Sequence, residues 1–250
     1  MQTTPSGRQG SVRTQQRGQL LRHPGAQPTG FRRIWHNHGL SIVLVALFVA
    51  SLSGQTIAGW HVYNDEQREH GTPAVALAEY VRTGHFSEAT FENWESEFLQ
   101  MAFYVLLTVW LFQKGSSESK RPGVVELVDL DPRDSPDKDE APWPVRKGGV
   151  VLRLYENSLS IAFALLFALS FASHAWSGRI EYNADQLAHG QPTVTLTEFV
   201  TGAQFWFESL QNWQSEFLAL VGMVVLSIFL RQRGSPESKP VTAPTWDTGK

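Results

Sequence analysis

Two stretches without a single charged residue, 40–57 (LSIVLVALFVASLSGQTI) and 158–177 (SLSIAFALLFALSFASHAWS), limit what this chain can become. At a helical rise of about 1.5 Å per residue, roughly 18 to 20 such residues cross a hydrocarbon layer about 30 Å thick. Both are read as transmembrane helices. Bulk composition hides this, with 42% hydrophobic and 18% charged residues, because the apolar residues are bunched rather than spread along the chain.

Two further apolar runs, 98–112 and 217–230, are too short to be assigned by length. Phe91, Trp94 and Phe98, like Leu210, Trp213 and Phe217, follow the i, i+3, i+7 spacing of a helix and extend each apolar face outward. Spans of about 93–112 and 212–231 are therefore expected beside those of about 39–60 and 158–178. The basic residues agree with this arrangement: six Lys or Arg lie in 1–36, eight in 113–154 and four in 231–250, leaving Arg68, Arg82 and Arg179 for the opposite face. The expected fold is an all-α membrane protein of four transmembrane helices. It is placed in the cytoplasmic (inner or plasma) membrane with both termini cytoplasmic.

Residues 40–120 align with 159–239 without a gap, Asn93 falling on Asn212 at an offset of 119, and roughly four in ten positions are identical. The shared pieces include Tyr63-Asn64 with Tyr182-Asn183, His70-Gly71 with His189-Gly190, and NWESEFL (93–99) with NWQSEFL (212–218). GSSESK (115–120) and GSPESK (234–239) close the two copies. With two spans per copy, the copies enter the bilayer in the same sense, as parallel two-helix repeats. The domain expectation is a basic disordered tail (1–36), a first membrane repeat (37–120), a cytoplasmic linker rich in Pro, Asp and Lys (121–154), a second repeat (155–239) and a short tail (240–250).

Each copy resembles a family of small bacterial two-helix membrane proteins, a domain of unknown function, whose members carry YN, Q, HGxP and E, then NWxSEFLQ, then GSxESK. Asn93 to Gln100 fits that pattern throughout, whereas the second copy has Ala219 in place of Gln and Leu187-Ala188 in place of charges. The resemblance implies a tandem duplication and a membrane location, and it carries no activity.

Cysteine is absent, so disulfides, thiol nucleophiles and cysteine-based metal sites are excluded. Ionisable groups inside membrane helices point to function unless they are placed at the headgroup level. Glu97 lies four residues after Asn93 on one helical face, and Glu216 stands in the same relation to Asn212. Gln55, and its aligned residue His174, reach a similar depth in the first and third spans. Glu97, Glu216, Asn93, Asn212, Gln55 and His174 form the candidate ion or proton site. A second and less specific set, His70 and His189 with Glu79 and Glu198 nine residues after each, offers metal ligands on the outer face, although the spacing matches no compact ligand motif.

The leading functional expectation is a structural or interaction membrane protein without catalysis. Its alternatives are a small proton or cation conduit or exchanger using paired intramembrane carboxylates, and an outer-face metal-dependent activity. No cofactor and no nucleic-acid partner is expected. The lipid bilayer is the principal partner, and small residues (Ser51, Ser53, Gly54; Ser170, Ala172, Ser173) leave room for close helix approach and a homo-oligomer.

Overall fold

The computed structural model describes residues 30–134 and 140–249. Most of the basic amino-terminal arm, with Arg8, Arg13, Arg17 and Arg22, lies outside the described residues. Among the described residues the structure is helical: α1 (Phe31–Glu69), α2 (Leu77–Tyr80), α3 (Gly84–Trp110), α4 (Trp143–Lys147), α5 (Gly149–Glu156), α6 (Ser158–Ala188), α7 (Leu196–Thr201) and α8 (Ala203–Phe229). The chain divides into two compact units between Gln55 and Thr56.

In the first unit α1 exposes one apolar residue after another, Leu40, Leu44, Val45, Leu47 and Phe48 among them, and none of its most apolar window is buried. A helix apolar on every side is at home in lipid. Ser53 turns its hydroxyl back onto the carbonyl of Val49 at 2.7 Å, so that its polar group is satisfied within the helix.

In the second unit α6 packs along α3, and α3 also packs on α8. The face of α6 turned inward holds small residues, Ser170, Ala175, Ser177 and Gly178, and a C-β added at Gly84 of α3 would lie 3.1 Å from the backbone carbonyl of Ser177. Small side chains on both partners let the helix backbones approach.

Both helices that lead into an HGxP turn end alike. α1 stops at Glu69 and α6 at Ala188, and the following Gly71 and Gly190 take φ of +71° and +67°. The amide of Thr72 reaches back to the carbonyl of Gln67 at 2.8 Å, and that of Gln191 to Gln186 at 2.7 Å. This pairing satisfies carbonyls that a helix end leaves open, and it needs glycine at the left-handed position. After each turn an asparagine clamps the returning chain. Asn64 donates to the carbonyl of Val75 at 3.0 Å and accepts from its amide at 2.7 Å, and Asn183 makes the same two bonds with Val194 at 3.0 and 2.7 Å.

The four-span expectation does not survive. Among the described residues three helices, α1, α6 and α8, are long and apolar enough to cross a membrane. The fourth candidate, α3, carries Glu88, Glu92, Glu95 and Glu97 in its first half, and it ends at Trp110 rather than 112. Its uncharged remainder, 98–110, rises only about 20 Å, some two thirds of a hydrocarbon layer. Nor do two equal two-helix repeats describe the fold, since α2, α4, α5 and α7 are additional and only the second half places two qualifying spans. The presence of α1, α6 and α8 makes the chain an integral membrane protein of mostly helical structure.

The glycines of the two GSxESK motifs lie in turns rather than at helix ends. α3 and α8 end at Trp110 and Phe229, and Gly115 and Gly234 lie beyond them in turns with φ of +89° and +86°. There the motifs interlock. Lys239 of the second motif, 1% exposed, donates from Nζ to the carbonyls of Gly115, Pro244, Thr245 and Asp247, the first and last at 2.5 and 2.8 Å. Ser116 and Ser227 share a hydroxyl bond of 2.9 Å, and the amide of Gly249 donates to the carbonyl of Ser116.

Candidate functional site

Three helices deliver polar groups to one buried place. α6 is 31 residues long, about 46 Å, and His174 lies near its middle, where its uncharged stretch approaches its end. The stripe Ser170, His174, Ser177 and Gly178 follows helical spacing and faces the neighbouring helices. In α3, Glu88, Glu92, Glu95, Leu99 and Ala102 recur every three or four residues, so that one face runs from acid at the start to apolar at the end. α8 contributes Phe205, Glu208, Ser209 and Asn212 from its opening turns.

His174 and Glu95 are both 0% exposed. Nδ1 of His174 lies 3.1 Å from Oε2 of Glu95, and the other carboxylate oxygen of Glu95 accepts from the indole Nε1–H of Trp213 at 3.2 Å. An ionised carboxylate only accepts, so the partner assigns the proton to Nδ1. The opposite nitrogen, Nε2, then faces Oε2 of Glu208 at 3.6 Å. Phe205, fully buried, covers the imidazole with ring centroids 4.9 Å apart, and Phe171 and Phe199 pack on Phe205 in turn.

Glu88 closes the third side. Its carboxylate, the imidazole of His174 and the carboxylate of Glu208 each offer one atom, and those atoms lie within 4.8 Å of one another. Gly178 makes room for this: a C-β there would meet Oε1 of Glu88 at 2.9 Å and the ring of Phe199 at 3.0 Å. Next to the cluster, Glu92 accepts from the amide nitrogen of Asn212 at 2.5 Å.

Charge arithmetic gives the cluster its chemical character. Four carboxylates surround one imidazole. A separation of 3.6 Å is too long for a hydrogen bond, and both Nε2 of His174 and Oε2 of Glu208 are buried with no hydrogen-bond partner among the described residues. In the neutral ring with its proton on Nδ1, a lone pair confronts an anionic oxygen, whereas a second proton on Nε2 turns the contact into an ion pair. In a site of low dielectric that opposition is costly, and a positive charge between the two atoms removes it.

The expected site residues fall in several places. His174 stands at the centre of the cluster, and Asn212 joins it through Glu92. Asn93 is exposed and bonds back to the carbonyl of Ala89 at 2.8 Å. Glu97 is exposed and within electrostatic reach of half-buried Glu216, whose backbone carbonyl accepts from Gln100 at 2.8 Å. Gln55 is exposed and belongs to the first compact unit. Of the outer set, His70 and His189 bring their rings edge to face at 5.8 Å. Glu79 and Glu198 serve as helix caps instead, accepting from the amides of Ala76 at 3.1 Å and Thr195 at 2.7 Å. The amide and hydroxyl of Thr195 hold the Glu198 carboxyl below the usual carboxylate range, as suits an acid fixed in its charged form.

Glu88, Glu92, Glu95 and Glu208 were not anticipated. Each occupies a position that the aligned half fills differently: Phe207, Gln211, Gln214 and Ala89. The motifs common to both halves emphasise shared residues, whereas the ionisable members of the cluster are unshared. The signal available was the helical stripe 88, 92, 95, 99, 102.

Comparison with curated proteins and with solved structures gives no match. A family model does match, as one stretch covering residues 31–250 and with it every member of the cluster. The chain belongs to that family, described as a domain of unknown function (DUF6766).

Proposed function

We propose that this membrane protein is a small conduit or exchanger for protons or cations, with Glu88, His174 and Glu208 as the groups that hold the moving charge. Glu95 and Trp213 act on them by orienting the imidazole. The observation that carries the reading is the facing pair of buried atoms without hydrogen-bond partners, Nε2 of His174 and Oε2 of Glu208, between two helices able to span a bilayer. A protein that serves only as an anchor has no use for such a pair, because ionisable groups in membrane helices are costly and persist where they are used. The reading involves no bond chemistry on a substrate, and it moves the conduit from Glu97 and Glu216 to the buried cluster.

Flux into liposomes tests it. With an imposed proton or cation gradient and an internal dye, wild-type protein is expected to give flux that Glu208→Gln lowers at least about 100-fold, the scale set by losing one positioned proton-transfer group. Glu97→Gln with Glu216→Gln is expected to keep it. Wild-type protein silent under both gradients would end the conduit reading and restore a purely structural role.

On the same reading the two halves, 40–120 and 159–239, descend from one duplicated unit. The gapless alignment and the matched clamps at Asn64 and Asn183 support this. The Lys and Arg of residues 1–36 favour a cytoplasmic amino terminus, and three crossings by α1, α6 and α8 then place the carboxy terminus on the opposite face rather than beside it. Because the chain has no cysteine, single-cysteine reporters placed at the two termini read sidedness directly. Labelling of the amino-terminal reporter from the outer face would overturn the assignment, and the pair together shows whether the number of crossings is odd, as three helices require, or even.

A further inference from the structure

We infer that Glu88, His174 and Glu208 form a binding site for a first-row divalent metal ion, with zinc the best match to its donors. The inference rests on the reading above and deepens it by naming the class of cation. One donor atom comes from each residue, one per helix of α3, α6 and α8, and the three lie within 4.8 Å of one another. The independent observation is the state of the donors: Nε2 of His174 belongs to a side chain 0% exposed, and neither it nor Oε2 of Glu208 has a hydrogen-bond partner among the described residues.

The donor set selects the metal. One imidazole nitrogen with two carboxylates suits zinc and its first-row neighbours, whereas calcium and magnesium prefer oxygen alone. Zinc lies about 2.0–2.2 Å from such donors, so donors around a tetrahedral ion stand roughly 3.3–3.6 Å apart. The 3.6 Å between His174 and Glu208 already meets this, and a small rotation of Glu88 supplies the third donor.

The surroundings are those of a metal-binding histidine. Nδ1 is bonded to Glu95, which fixes the tautomer that leaves Nε2 to bind, and Trp213 fixes Glu95 in turn. Phe205 stacked on the ring excludes water from one side. Two carboxylates and a neutral imidazole carry two negative charges, which a dication neutralises.

Equilibrium dialysis of the full chain in detergent against buffered zinc, with metal counted per chain, tests the site. Cobalt in place of zinc reports through its visible bands whether an imidazole and carboxylates surround it. About one zinc per wild-type chain is expected. Glu88→Gln and Glu208→Gln, which keep side-chain shape, should each weaken binding more than the roughly 10- to 100-fold typical of residues that merely orient ligands, the loss expected of Glu95→Gln. Wild-type protein without stoichiometric zinc would overturn the inference. So would zinc that persists in both glutamine variants and disappears in His70→Ala with His189→Ala. Binding and flux are separate readouts: zinc bound without flux keeps the site and removes the conduit, and flux without zinc keeps the conduit and removes the site.

Discussion

Replacing His174 with alanine is expected to destabilise the protein by about 3 kcal/mol, the upper end of the range for a buried group left without its hydrogen-bond partner, because that group is a carboxylate. Glu95 is the residue left behind. It is fully buried, and its remaining bond to Trp213 cannot substitute for the imidazole. The stacking of Phe205 on the ring is lost as well. Glu95→Ala should be similarly damaging, and the double variant should be less damaged than the sum of the two, because residues in one hydrogen-bonded network couple by about 0.5–3 kcal/mol. Denaturant unfolding of the four proteins in one detergent gives the cycle. Additive losses would mean that the 3.1 Å contact between His174 and Glu95 carries no energy.

The second large effect is expected at the other end of the helices. Lys239→Met keeps the aliphatic stem and removes the ammonium group that gathers the carbonyls of Gly115, Pro244, Thr245 and Asp247. Leaving a buried acceptor without its donor costs about 1–3 kcal/mol. The carboxy-terminal segment should consequently detach from the first GSxESK motif. Limited proteolysis is the direct measure: the variant should be trimmed after position 239 under conditions that leave the wild-type chain whole. Lys120→Met is the matched control, since the aligned lysine pairs with Asp129 and holds no such set of carbonyls. Equal protease resistance of wild type and Lys239→Met would show that the segment is held by the bonds of Thr248 and Gly249 to Gly115, Ser116 and Arg121 instead.

Much of the fold was legible because membrane helices announce themselves by missing charge. α1 and α6 follow from uncharged runs long enough to span, and α8 from the continuation of its apolar face through Trp213 and Phe217. α3 was misjudged by the same reasoning. Continuing its apolar face outward through Trp94 and Phe91 was geometrically sound, but it passed over the acids carried on the same turns. The site was half legible. His174 is the one titratable group in residues 158–177 and drew attention for that reason. Its partners are less conspicuous, because a helical face counted from Asn93 leaves them out. Two residues along a helix turn the side chain by about 200°, so the choice of Glu97 over Glu95 pointed to the opposite side. Glu208 could not be reached at all, since a single sequence does not say which turn of α8 lies opposite His174.

The distribution of the cluster along the chain has a genetic consequence. Glu88 and Glu95 come from the first half, and His174, Glu208 and Trp213 from the second. Their aligned positions hold Phe207, Gln214, Gln55, Ala89 and Trp94, so of these five only the indole is present in both halves. Neither half therefore contains the full set of donors, and a symmetric dimer of either half would assemble two incomplete ones. The two halves are complementary rather than redundant. Loss of one cannot be compensated by the other, and selection on the cluster acts on the whole chain as a single unit.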